Sequence, residues 1–268
     1  MYDFEYQKAT DAQTAVTALK THTDAKYLGG GQSLLAAMKL RLAQPSTLVD
    51  VTRIPGMSGI RTQPGVITVG AATRHADVAD SADIARMLPA LGELAGGIGD
   101  RQVRAMGTLG GSLANNDPAA CYPAAVLGLN ATVVTERRNI AADDFFLGMY
   151  ETALAADELL TEVQFPVPDQ AAYVKFRNPA SRFALVGVFI SRKGNNVRVA
   201  VTGAAPSVFR CTPLEQALAA SFTSEAARKV VVPADDLVGD LHASPEYRAH
   251  LIPVLAARAI EQALAHHH

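Results

Sequence analysis

Two glycine clusters have the residue types and spacing to do chemistry: Gly29-Gly30-Gly31-Gln32-Ser33, directly after a short apolar stretch, and Gly107-Thr108-Leu109-Gly110-Gly111-Ser112 much farther along the chain. Glycine lets backbone N–H groups converge at φ values that other residues avoid, and it leaves no Cβ between those donors and an anion. Each cluster therefore reads as a cradle for phosphate oxygens. Thr108 and Ser112 bracket the second one with hydroxyl donors. Two cradles fit one long ligand with a pyrophosphate at its middle, a dinucleotide, whereas a mononucleotide needs only one.

The first cluster partly follows the dinucleotide fingerprint G-x-G-x-x-G. A strand is expected before it and a helix after it, and Asp50 stands at a strand end about twenty residues on. The match breaks at Leu34, which takes the third glycine position when the motif is written from Gly29. A tight turn explains the first cluster as a purely structural feature, and a glycine-rich bend between helices explains the second. The nearby cations Lys39, Arg41, Arg101 and Arg104 read first as solvated surface charges. His75 reads as an exposed or hydrogen-bonded structural histidine. Cys121 reads as a small buried hydrophobe, since no histidine lies near it in sequence.

What the chain lacks narrows the chemistry further. It has no C-x-x-C pair, no H-E-x-x-H and no clustered Cys/His set, so no iron–sulfur cluster or structural zinc fits by standard spacing. It has no G-x-x-x-x-G-K-[ST] and no G-x-S-x-G, which argues against P-loop hydrolysis and an α/β-hydrolase nucleophile. With 24 basic against 26 acidic residues and a net charge of −2, it has no nucleic-acid-binding character. The weakly polar stretch Tyr122 to Val134 contains Pro123 and Asn130 and is shorter than the roughly 18 apolar residues of a membrane span, so no membrane insertion is expected. Cys121 and Cys211 are the two cysteines, and Met1-Tyr2-Asp3-Phe4 lacks signal-peptide character, which makes the cytoplasm the expected location. His266-His267-His268 reads as native or as a tag remnant and is left out of site reasoning.

The elements that must position these clusters fall into three groups, in line with a prior of about 150 residues per domain for a chain of 268. The first has an edge strand at Asp3 to Tyr6 and a helix from Asp11 to about Lys20, opened by a Thr10…Gln13 capping box. Strand Lys26 to Leu28, helix Ser33 to Leu42 and strand Thr47 to Val51 complete it, with Pro55-Gly56 as boundary. The second group has strand-like text from Gly59 to Ala72, a helix at Pro89 to Ala95 and a turn at Asn115-Asn116-Asp117-Pro118. A helix at Tyr122 to Leu129 and strands Ala131 to Thr135 and Leu159 to Phe165 follow. After a linker at Pro166 to Gln170, Phe183 to Arg192 and Val197 to Gly203 form a hairpin around Lys193-Gly194-Asn195-Asn196. Helices at Glu215 to Ala220, Ser224 to Val231 and Pro245 to Ala265 end the chain.

On these motifs the sequence resembles the FAD-binding medium subunit of molybdenum hydroxylases, the family of carbon monoxide dehydrogenase and xanthine dehydrogenase-type enzymes. The residues that carry the likeness run in order through nearly the whole chain. They are Gly30-Gly31-Gln32-Ser33-Leu34, Met38-Lys39-Leu40-Arg41-Leu42, Leu48-Val49-Asp50-Val51, Ile98 to Arg104, Gly107 to Ala114, Asp117-Pro118-Ala119-Ala120, Tyr173-Val174-Lys175-Phe176 and Phe183 to Val188. The resemblance implies an α+β fold: a two-part FAD-binding domain of the vanillyl-alcohol-oxidase-like (PCMH) kind plus a C-terminal small antiparallel sheet with helices. The parts are expected at 1–55, 56–168 and 169–268.

By the same resemblance the cofactor is FAD. Leu28, Gly29, Gly30, Gly31, Gln32, Ser33 and Leu34 would line one side of its pyrophosphate, and Thr108, Gly110, Gly111 and Ser112 the other. Ile98 would approach the ring system, Leu160 the adenine region, and Lys175 with Phe183 the far edge of the isoalloxazine. Asp117 would be a further cofactor-binding residue, and Cys121 would lie at the ribityl chain, where family members often carry Asp and a thiol is a poor substitute acceptor. The implied partners are an iron–sulfur small subunit, a molybdopterin large subunit and an external electron acceptor, NAD or a quinone-like carrier. No catalytic acid–base residue is expected, because the cofactor carries the chemistry. The rival readings are a Rossmann-type nicotinamide dehydrogenase, which Leu34 disfavours, and a flavin-free scaffold, which the intact glycine clusters disfavour.

Overall fold

The computed structural model describes residues 1–265; the terminal histidines set aside above lie outside the described residues. In the N-terminal part, β1 (Glu5–Lys8), α1 (Ala12–Thr21), β2 (Ala25–Leu28), α2 (Leu34–Lys39) and β3 (Thr47–Asp50) build a three-stranded parallel sheet of order β1-β3-β2. The central strand β3 buries Thr47, Leu48 and Val49, as a parallel strand covered on both faces does. Asp11, not Thr10, caps α1: its carboxylate accepts the Thr14 N–H at 2.7 Å, and an ionised acceptor suits the positive helix end. β1 lies two residues later than expected. α2 stops at Lys39, well short of Leu42, because Arg41 takes φ 60° and turns the chain left-handed.

The middle part opens with β4 (Ile60–Gln63) and β5 (Val66–Gly70). Six helices follow: α3 (His75–Ala79), α4 (Ala82–Met87), α5 (Pro89–Gly96), α6 (Arg101–Met106), α7 (Leu109–Asn115) and α8 (Tyr122–Gly128). Then come β6 (Thr132–Thr135), β7 (Asn139–Ala141), α9 (Ala142–Phe145), β8 (Phe146–Gly148), β9 (Glu151–Thr152) and β10 (Leu160–Pro166). The antiparallel sheet has order β4-β5-β10-β6-β7. The sequence anticipates α5 and α8 but not α3, α4 or α6, which span only five or six residues, nor α7, whose glycine-rich start reads as a loop. Caps hold three of them in place: Ser81, Asp100 and Thr108 accept the N–H groups of Ile84, Val103 and Gly111.

The C-terminal part is an antiparallel sheet of β11 (Gln170–Arg177), β12 (Ala184–Lys193), β13 (Asn196–Thr202) and β14 (Phe209–Arg210), with α10 (Thr212–Ala220), α11 (Ser224–Arg228) and α12 (Pro245–Ala265). Lys193 pairs with Asn196 around Gly194 at φ 57°, the tight hairpin the sequence announces. The expected linker shrinks to 167–169, since Pro166 closes β10 and Gln170 opens β11. β12 serves two cores, which explains its unbroken apolar run. Phe189 packs with Tyr122, Val163 and Phe165 in one, while Val188 and Ile190 join Ile252 and Leu255 in the other. Through α8 and β12 the C-terminal sheet is pressed against the part that bears the second glycine cluster.

Candidate cofactor-binding site

The fold brings the two glycine clusters into direct contact. A Cβ on Gly30 would stand 2.5 Å from the Gly107 Cα, and one on Gly29 would stand 2.8 Å from the Thr108 Oγ1. Only residues without side chains permit this approach. Gly31 takes φ 71°, and Ser33, at the start of α2, makes no side-chain cap. As a result, the N–H groups of Gly30, Gly31, Gln32, Ser33 and Leu34 find no acceptor among the described residues. These open donors lie side by side at the turn into α2. Leu28 enters it from β2, its carbonyl taking the Val51 N–H at 3.1 Å, and Gln32 folds back with its amide 3.3 Å from the Gly30 carbonyl oxygen.

The second cluster differs from expectation. It is the capped start of α7, and its N–H groups are used internally. Leu109 donates to the Thr73 carbonyl at 3.0 Å, Gly110 to Ala71 at 2.8 Å, Gly111 to Thr108 Oγ1 at 3.2 Å and Ser112 to the Thr108 carbonyl at 3.1 Å. Gly110 is a packing glycine: a Cβ there would stand 2.6 Å from the Ala71 Cβ. What remains for a ligand is the exposed backbone of Gly111 and the hydroxyls of Thr108 and Ser112, since a hydroxyl that accepts a cap bond can still donate its hydrogen. The cluster is held by the 71–75 segment, with an isolated bridge between Arg74 and Thr108 and the His75 N–H on the Gly107 carbonyl at 2.9 Å.

His75 itself is neither exposed nor fully hydrogen-bonded, contrary to the sequence expectation. Its ring lies under Gly107, where a Cβ would be 2.6 Å from Nε2, and beside the Tyr122 ring at 5.3 Å. Its Nδ1 is buried without a partner. Burial, with the Arg104 charge second, lowers its pKa to about 4, so the ring is neutral at pH 7.

The remaining expected residues are each held by contacts of their own. Ile98 sits on a turn with Gly99 at φ 49°, and that turn is gripped from two sides. Arg104 donates to the Ile98 carbonyl at 2.8 Å, and Arg182 reaches the Gly99 carbonyl at 3.3 Å from the C-terminal part. Asp117 accepts from the Ala119 N–H at 2.8 Å and the Tyr150 hydroxyl at 3.4 Å. Cys121 is buried, as expected, and it meets the Lys175 ammonium at 3.3 Å. Phe183 is exposed beside the Arg182 loop. Leu160 is buried in the core. Its neighbour Thr161 accepts from Ala71, the same residue on which Gly110 rests.

Several residues escaped the sequence reading. Asn116 takes φ 42° and ends α7, and its amide donates to the carbonyls of Gly148 and Glu151 at 2.8 Å, leaving Oδ1 buried and unpaired. The hydroxyls of Tyr122 and Tyr173 are also buried and unpaired. The Asn115-Asn116 turn signal pointed to the first of these; nothing in the local sequence distinguishes the two tyrosines from ordinary core residues.

Comparison with known proteins agrees with this geometry. Residues 2–168 match the family described as FAD binding domain in molybdopterin dehydrogenase, and residues 171–263 match the CO dehydrogenase flavoprotein C-terminal domain. The chain belongs to the FAD-binding medium subunits of the molybdenum hydroxylases. Among its relatives is the nicotine 6-hydroxylase medium subunit of Paenarthrobacter nicotinovorans, 35% identical over 96% of each chain. Another is the carbon monoxide dehydrogenase medium chain of Hydrogenophaga pseudoflava, 36% identical over 98% of this chain and 97% of the relative. Among solved structures, reconstituted CO dehydrogenase from Oligotropha carboxidovorans superposes with a TM-score of 0.90 at 32% identity, covering 99% of both chains.

The cofactor of the family is FAD, and the residues present fit it. The free N–H groups of Gly30 to Leu34 supply the donors that a pyrophosphate needs, and the glycine contact keeps side chains out of its way. As a medium subunit the chain is part of an oxidoreductase. Its sheets bear out the α+β class. The parallel element is three strands wide, far from the six-stranded sheet of a Rossmann dehydrogenase. Among the described residues no His/Cys/Asp/Glu group could hold a metal ion and no helix is long and apolar enough to cross a membrane.

Proposed function

We propose that this medium subunit takes electrons from iron–sulfur clusters of a small partner subunit, which a molybdopterin-bearing large subunit supplies, and passes them to an external acceptor, NAD or a quinone-like carrier. The observation that carries this proposal is the backbone contact between the two glycine clusters, with the open donors of Gly30 to Leu34 beside it. FAD, when bound, supplies the ability to take electrons singly and release them in pairs. The protein's part is to bind and orient. The first cluster and Leu28 hold the pyrophosphate by N–H donors, and Gly111 with the hydroxyls of Thr108 and Ser112 closes it from the other side, while Gly110 supports them by packing on Ala71. Cys121 faces the ribityl chain, Asp117 is a further cofactor-binding residue, and Leu160 backs the adenine. Ile98, Lys175 and Phe183 border the ring, with Arg104 and Arg182 fixing the turn that carries Ile98.

The corresponding division of labour is 1–55 and 56–168 for the cofactor and 169–268 for its outer wall, in a cytoplasmic complex. The test is a visible absorption spectrum of the purified chain before and after FAD addition and gel filtration, then of the assembled complex reduced by substrate. Retained FAD whose absorbance bleaches only when the iron–sulfur subunit is present supports the proposal. FAD that never binds, even with both partners present, overturns it in favour of a scaffold.

A further inference from the structure

Cys121 and Lys175 meet where the FAD-binding part adjoins the C-terminal sheet, 54 residues apart in sequence. The Lys175 Nζ lies 3.3 Å from the Cys121 Sγ and 3.0 Å from the Arg182 carbonyl oxygen, so its partners are a thiol and a carbonyl rather than a carboxylate. The strand pattern creates this meeting. Tyr173 and Lys175 are alternate residues of β11 and share a face, while Gly187 on β12 stands opposite Lys175. A Cβ on Gly187 would be 2.9 Å from the Thr202 Cγ2 and closer still to the Tyr173 hydroxyl, so the absent side chain makes the room in which that phenol lies.

Tyr173 is 8% exposed, and its hydroxyl is buried with no hydrogen-bond partner. Burial first, and then the nearby Cys121 sulfur, raise its pKa well above the ordinary phenol value, so it stays a donor. A sulfur, an amine and an O–H donor that lacks an acceptor therefore converge in one small space.

We propose that Cys121 and Lys175 form an oxidation-sensitive pair that closes into a covalent S–O–N bridge. The oxidant is hydrogen peroxide. One molecule converts the thiol to a sulfenic acid and leaves as water. A second peroxide takes two electrons as the sulfenic oxygen bonds to the lysine nitrogen, and two waters and one proton leave. In total one thiol, one ammonium and two peroxides give the bridge, three waters and one proton; sulfur and nitrogen are oxidised and both peroxides are reduced. An oxygen inserted between the two atoms needs less movement than a direct S–N bond across 3.3 Å, and it gives the Tyr173 hydroxyl its missing acceptor. The bridge removes the Lys175 charge and staples β11 to the segment before α8. It rests on these side chains alone and stands whether or not the cofactor assignment does.

The test uses the full chain treated with hydrogen peroxide, quenched with catalase, and read by intact mass and by mapping of protease fragments. The expected product gains one oxygen and loses two hydrogens, joins the fragments holding Cys121 and Lys175, and separates again under dithiothreitol. Cys211, buried at the start of α10, serves as the internal control and stays unmodified. Cys121→Ser is expected to abolish the product, and Lys175→Arg to stop the reaction at a sulfenic acid that dimedone traps. Should either variant lose its fold by circular dichroism, the wild-type fragment map decides alone. A wild-type chain that oxidises Cys121 to sulfinic acid with Lys175 free, or that remains unmodified, overturns the proposal.

Discussion

A Cβ built on Gly30 would stand 2.5 Å from the Gly107 Cα, so the two glycine clusters touch through backbone alone. The Met106 carbonyl is closer still to that position, and backbone atoms cannot rotate aside as a side chain can. Gly30→Ala is expected to force the clusters apart, lowering FAD affinity at least tenfold and destabilising the fold by about 1–3 kcal/mol. Flavin fluorescence titration and thermal melting measure the two effects. Unchanged affinity would show that the contact has no part in holding the cofactor.

Gly31 combines φ 71° with a place among the open donors. Gly31→Glu brings a carboxylate among the pyrophosphate donors, crowds Leu35, whose Cδ1 would lie 2.8 Å from the new Cβ, and adds about 1–2 kcal/mol of backbone strain. FAD retention is expected to vanish while far-ultraviolet circular dichroism stays the same. Gly31→Asn, which tolerates the left-handed region and carries no charge, should keep more of the binding. If Gly31→Glu holds FAD normally, the first cluster does not bind the pyrophosphate.

His75 makes stability depend on pH in a defined window. Burial holds its folded pKa at about 4, below the 6.5 of an unfolded chain, so between these values the unfolded chain binds the extra proton. Its contribution is complete above pH 6.5 and falls away as pH drops toward 4, by about 3 kcal/mol in all. His75→Gln is expected to flatten urea-melt midpoints across that range. A variant with the wild-type slope would assign the dependence to another group.

Glu158 acts in a lower window. The Arg138 guanidinium beside it, at 2.8 Å, is the main cause that holds its carboxyl down to about 2; burial opposes the shift, and the Ala155 N–H and Thr135 hydroxyl add to it. A depressed carboxylate stabilises the fold above pH 4.5, and this is lost as pH falls through 2. The loss is on the order of 2 kcal/mol, discounted because Arg138 is half exposed. Glu158→Gln should remove the dependence between pH 4.5 and 2 and leave the His75 window intact, as acid titration followed by circular dichroism would reveal.

Both the legible and the hidden parts of the molecule have physical causes. β3, β5, β10 and the β12–β13 hairpin are readable because β-branched runs end at glycine, proline or polar turns. The capping box at Thr10 and Gln13 was misplaced by one residue because Asp11 is the stronger acceptor. The helices α3, α4, α6 and α7 span five to seven residues, and tertiary packing, with a single side-chain cap on each of α4, α6 and α7, stabilises them rather than any amphipathic repeat.

For the site, the sequence by itself determined that two glycine clusters exist, that Gly31 could turn left-handed, and that metal-ligand spacings are missing. These are properties of residue type and local spacing, which no folding is needed to express. Only the tertiary structure decided that the clusters touch and that the N–H groups of the second are used on Ala71 and Thr73 while those of the first stay open. It also decided that Cys121 faces Lys175 under an unpaired tyrosine hydroxyl. Those facts depend on which distant backbone reaches each donor first. That competition is settled by the packing of β5, α7, α8 and β11 and has no signature in any local window.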